Sequence, residues 1–192
     1  MISEASSTLI HTTLGPLMVR RAGRGAPALL WHSLFVDSRT FDGVVEELGR
    51  QRELFMVDGP GHGDSPGPHN RYSLEDCATA AAQILDALGI STPVDWVGNA
   101  WGGHVGISVM LHRPDLRPVL PRLQVPTLML AARDDSLNDP KEAERAARTV
   151  PDGRFARVSG GGHVAPLLIA PAEVAQHILT FWSANRNRQS AA

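Results

Sequence analysis

The chain has 192 residues, 43% hydrophobic and 20% charged, with a net charge of −2. That is the balance of one globular domain, residues 1–192, with room for a sizeable core. No basic patch offers a nucleic-acid surface and no window is long enough to span a bilayer. The lone cysteine, Cys77, excludes an internal disulfide and gives no support to a cysteine-based metal cluster.

Met1 to Ile10 lacks a basic start followed by an apolar run, so a cytoplasmic location is expected. Thr8 to Arg21 reads as a hairpin around the Gly15-Pro16 turn. Ala28 to Trp31 and Leu54 to Val57 are short continuous apolar runs, expected as strands buried on both faces. Between them Phe41, Val44, Val45 and Leu48 have helical spacing. The run from Asp58 to Ser65 is too rich in glycine and proline to be anything but loop. Ser73 and Asp76 form a capping box for a helix that Gly89 ends.

Val94 to Val97 is the next strand, followed by small residues at Gly98, Ala100, Gly102 and Gly103 and then an apolar helix. That pattern predicts a strand, a sharp turn and a helix, with residue 100 at the apex and glycines where side chains would collide. Arg113 to Gln124 carries Pro114, Pro118 and Pro121 and reads as a connector. Val125 to Ala131 is another buried strand, with Asp134 and Asp135 at its end. Asp139-Pro140 caps and starts a helix to about Val150, and Phe155 to Val158 leads into Gly160-Gly161-Gly162-His163. A closing helix spans Pro171 to Trp182, with a frayed polar tail from Asn185. Strands alternating with helices imply a doubly wound, mostly parallel sheet with ligands at the carboxyl ends of its strands.

These residues resemble the α/β-hydrolase superfamily over nearly the whole chain. Gly98-Asn99-Ala100-Trp101-Gly102 is similar to its nucleophile elbow, with alanine where serine or aspartate is usual. His32-Ser33-Leu34-Phe35 resembles the oxyanion loop, Asp58 to Ser65 the Asp-x-Pro-Gly-x-Gly-x-Ser loop, and Asp135 and His163 fall where the acid and histidine of a triad follow. The resemblance implies that His163 is a general base oriented by Asp135. It also implies that the Leu34 and Trp101 amides face an oxyanion, and that His32, Ser33, Phe35 and Asn99 border a pocket for a small apolar molecule. It implies neither cofactor nor metal.

Ala100 cannot attack a substrate. The expected function is therefore that of a protein descended from hydrolases of esters or related C–O, C–N or C–halide bonds, and impaired at the covalent step. The alternatives are a non-covalent enzyme using the Asp135–His163 pair as general base, and a non-catalytic protein that binds a small molecule. Family members usually place a further strand and a cap where residues 113–124 lie, so both are expected to be missing. His32 and His62 are expected to bind loop carbonyls, Asp58 and Asp64 to tie down their loop, and Asp134 to be a solvated neighbour of Asp135.

Overall fold

A computed structural model describes residues 6–111, 120–121 and 123–189. The leading hairpin is formed by β1 (Ser6–Thr12) and β2 (Gly15–Gly23), antiparallel with Thr12 opposite Gly15. β3 (Ala26–Trp31), β4 (Arg52–Val57) and β5 (Asp95–Gly98) complete a five-stranded sheet of order β1-β2-β4-β3-β5, in which β3 runs parallel to both of its neighbours. Leu29, Leu30, Trp31, Leu54, Met56 and Val57 are fully buried. That explains the unbroken apolar runs of β3 and β4, because a central parallel strand is covered on both faces.

Register matters more than length here. Trp31 lies opposite Val57 on one side and Gly98 on the other, so β3, β4 and β5 end level. The loops that begin at His32, Asp58 and Asn99 therefore leave from one edge of the sheet.

A single 3-10 turn at Ser38–Phe41 precedes α1 (Asp42–Leu48). The helix α2 (Leu74–Ala87) has the expected capping box: Ser73 Oγ accepts from the Asp76 amide at 3.2 Å, and Asp76 Oδ2 accepts from the Ser73 amide at 2.8 Å. One face of α2, with Cys77, Ala80, Ala81 and Ile84, packs with Trp101 and Val105 of α3 (Trp101–Leu111) into the core that holds Ile10, Leu17, Val19 and Phe55.

The chain divides into two compact units, Met1–Leu116 and Arg117–Ala192. In the second, β6 (Thr127–Ala132) and β7 (Gly153–Val158) pair in parallel as a sheet of their own, with Ala132 opposite Val158, so these strands also end level. α4 (Pro140–Thr149) joins them, its first turn capped by Asp139, whose carboxylate accepts from the Lys141 amide at 2.9 Å.

The strands form two sheets, one of five and one of two, and among the described residues no strand lies between β5 and β6 in the sequence. Two expectations change. A short helix, α5 (Pro166–Ile169), intervenes before α6 (Pro171–Gln189). α6 does not fray at Asn185 but continues to Gln189. Asparagine, arginine and glutamine extend a helix that is already formed at little cost, and Asn185 accepts from Arg154 at 3.3 Å. Of the connector 113–124, residues 113–119 and 122 lie outside the described residues, as do residues 1–5 of the leading segment.

Candidate functional site

In the first unit, the turn between β5 and α3 has Ala100 at its apex with φ 45°, the only described residue other than glycine in the left-handed region. Its backbone is fixed on both sides. The Asn99 amide donates to the Trp31 carbonyl at 3.1 Å, and the Gly103 and His104 amides donate to the Ala100 carbonyl at 2.9 and 3.2 Å, which begins the helix. A Cβ on Gly102 would overlap the Trp31 carbonyl, and one on Gly98 would overlap the Gly102–Gly103 backbone. Only glycine permits α3 to start this close to the strands.

Below the turn, Trp101 is buried, its ring 5.6 Å from that of Trp31 and 5.6 and 5.4 Å from those of His32 and His62. The Trp101 side chain packs under Gly59, where a Cβ would lie 2.6 Å from the indole. His32 is fully buried. Its Nδ1 lies 2.6 Å from the Ser33 carbonyl, and its Nε2 accepts from the Gly59 amide at 2.8 Å. That pair of partners requires the neutral ring with its proton on Nδ1. Burial pushes its pKa down, against the opposing effect of the Ser33 carbonyl.

Next to it, His62 places Nε2 2.7 Å from the Leu34 carbonyl and Nδ1 3.0 Å from that of Pro60, so both histidines join the loop after β4 to the loop after β3. Asp58, also buried, accepts from the Ser38 amide at 2.8 Å and the Asp64 amide at 2.9 Å. The tie expected of Asp64 thus comes from its backbone. Ser33 is buried, while Leu34 and Phe35 face solvent, 47% and 80% exposed. Cys77 is no substitute nucleophile, since burial pushes its thiol up to about 12.

In the second unit, Asp135 and His163 meet at the level ends of β6 and β7. His163 Nδ1 is 3.0 Å from Asp135 Oδ2, while Oδ1 of the same carboxylate accepts from the Leu137 and Asn138 amides at 2.9 Å each. Burial pushes the Asp135 carboxyl up, but the Asn138 amide, the His163 ring and the Leu137 amide outweigh it and hold the group below its ordinary value. An ionised carboxylate at Nδ1 fixes the proton there and leaves the Nε2 lone pair available as a base. The Asn138 side-chain amide is 3.1 Å from the same Nδ1. A nitrogen already donating to Asp135 fits that contact only if the amide presents its oxygen.

Asp134 is exposed, as expected of a solvated neighbour of Asp135, but it also makes backbone contacts: its carboxylate accepts from the Gly162 amide at 2.9 Å and the Gly161 amide at 3.4 Å, and the Gly162 bond in particular holds it below its ordinary value. The signal was present in the sequence: three successive glycines expose amides that no side chain shields, and such a nest attracts an anion.

A model of the family described as the alpha/beta hydrolase fold matches residues 27–116. The chain has the α/β-hydrolase fold. An esterase structure from Thermogutta terrifontis superposes on this hydrolase-fold protein with a TM-score of 0.82 at 19% identity, covering 95% of this chain and 99% of that one. Among curated sequences, the polyketide synthase ThaQ of Burkholderia thailandensis is 42% identical over 181 residues, covering 83% of this chain and 8% of the synthase. The 2-hydroxy-6-oxo-2,4-heptadienoate hydrolase of Pseudomonas putida is 33% identical over 99 residues, covering 48% of this chain and 34% of that enzyme. The chain thus spans well under two thirds of the length of either curated relative. Its relatives include hydrolases and esterases of small molecules. No described helix is long and apolar enough to cross a membrane.

Proposed function

We propose that this protein is a hydrolase-fold acyl-handling module that keeps its acid and base but has lost its covalent nucleophile. In this reading Ala100 occupies the nucleophile position and the Leu34 and Trp101 amides serve as oxyanion donors. His163 is the base, and Asp135 orients it. The observation that carries the reading is the left-handed backbone of Ala100. A left-handed alanine costs about 1–2 kcal/mol where glycine costs nearly nothing. A turn that holds a side chain there at such a cost is built to present one. The identity shared with a stretch of a polyketide synthase supports an acyl chain as the molecule handled. In the second unit, Leu137, Leu168 and Ile169 are exposed apolar side chains close in sequence to Asp135 and His163 and would suit such a chain.

Ala100→Ser tests the reading. Removing a triad nucleophile costs on the order of a millionfold in turnover, so the variant is expected to cleave a short activated ester or acyl thioester orders of magnitude faster than the parent chain. It should also be labelled by a fluorophosphonate, and a further His163→Ala change should abolish both effects. A folded Ala100→Ser protein that neither cleaves nor labels overturns the proposal.

The intact Asp135–His163 contact at 3.0 Å favours a second reading, in which His163 withdraws a proton from water or from a carbon acid without any covalent step. Turnover by the unaltered chain, lost in His163→Ala, distinguishes it from the first.

A further inference from the structure

The segment that carries His163 has little rigidity of its own. Gly160, Gly161 and Gly162 precede it, and Gly161 and Gly162 adopt φ of +110° and +57°. Glycines lose more freedom on ordering than any other residue, so a base placed after three of them needs external restraints to stay within reach of a substrate. Three carboxylates supply them. Glu173 of α6 accepts from the Ser159 amide at 2.8 Å, Asp134 accepts from Gly162 and Gly161, and Asp135 takes the imidazole itself. The Ala165 amide closes the turn on the Gly161 carbonyl at 3.0 Å.

We infer that Asp134 is a positioning residue for His163, acting through the backbone of the glycine turn rather than through charge at the imidazole. This rests on the reading of His163 as the base. Neighbouring carboxylates at the end of β6 divide the work: Asp135 sets the tautomer and plane of the ring, and Asp134 sets where the residue carrying that ring is held. Gly162 is the residue directly before His163, so the 2.9 Å bond to Asp134 fixes the Gly161–Gly162 peptide, one link before the one that carries the histidine. Without it the turn samples other glycine conformations, and His163 Nδ1 leaves Asp135 for part of the time. Because Asp134 is exposed, removing its side chain opens no cavity.

The test compares Asp134→Ala, which removes the acceptor, with Asp134→Asn, which keeps an acceptor oxygen without the charge. In the otherwise unaltered chain, amide exchange at Gly162 and the His163 ring N–H resonance are followed by NMR. Asp134→Ala is expected to speed Gly162 exchange by about tenfold or more and to broaden the ring proton, while Asp134→Asn keeps both near the parent values. In the Ala100→Ser background, with active sites titrated, Asp134→Ala should lower kcat by up to about a hundredfold with KM little changed, as expected of a misplaced catalytic group. Asp134→Asn should stay within a few-fold of the parent. Unchanged Gly162 exchange and an unchanged ring proton in Asp134→Ala overturn the inference, as does an Asn variant as impaired as the Ala variant. An inactive Ala100→Ser protein counts against the functional reading alone, because the NMR comparison still decides the role of Asp134.

Discussion

Asp135 grips His163 with one carboxylate oxygen and its own following turn with the other, Oδ2 lying 3.0 Å from the imidazole and Oδ1 2.9 Å from the Leu137 and Asn138 amides. The acid is oriented by the same chain segment that supplies it, so its direction does not depend on the histidine. Asp135→Ala leaves two amides and the ring without their acceptor and is expected to cost about 1–3 kcal/mol. For a chain of this size that corresponds to a fall of several degrees in melting temperature. The pH dependence has a definite sign. The carboxyl is held below its ordinary value of 3.8 in the fold, so its stabilising contribution is complete above that value and is lost as pH falls through the lowered one. Thermal melts between pH 3 and 7 should show a shallower acid limb in Asp135→Asn than in the parent.

The strain at Ala100 is measurable without any substrate. At φ 45° a glycine relieves about 1–2 kcal/mol of backbone conflict and returns about 0.5–1 kcal/mol through the greater freedom of its unfolded chain. Ala100→Gly should therefore raise the melting temperature by a few degrees, and the β-branched Ala100→Val should lower it by more. A glycine variant less stable than the parent would mean that the apex is not left-handed in solution.

Much of this architecture is legible in the residues, and the exceptions have a common cause. Ser73 with Asp76, Asp139 with Pro140, and the glycines around Ala100 are local signals, because each side chain acts within a few residues of its own backbone. The buried runs of β3 and β4 are equally local, set by composition alone. What the sequence hides are contacts made over long separations. The three glycines before His163 mark a place for an anion, but not that Asp134, 28 residues earlier, fills it; loop carbonyls are expected for His62, but not that one of them is that of Leu34, 28 residues back. Asn185 is helical where its polarity suggested fraying, because Arg154 meets it from β7. Periodicity reports which face is buried; it says nothing about which distant carbonyl or amide a polar side chain will find.

His32 offers a prediction that needs no catalytic assumption. The ring is fully buried, donates from Nδ1 to the Ser33 carbonyl and accepts the Gly59 amide at Nε2. A second proton would meet the Gly59 N–H head on and place a charge in the core beside Trp101. Burial accordingly lowers its pKa from 6.5. Between 6.5 and the lowered value the unfolded chain binds a proton that the folded chain does not, so stability declines as pH falls through that window and levels off below it. Thermal melts from pH 8 to 5 should show this decline. His32→Gln retains a polar group near Gly59 but cannot titrate, so it is expected to start from a lower melting temperature and to lose the part of the slope that lies just below 6.5. A parent and variant with parallel profiles across that window would show that the His32 ring takes up its proton as easily in the fold as in the open chain.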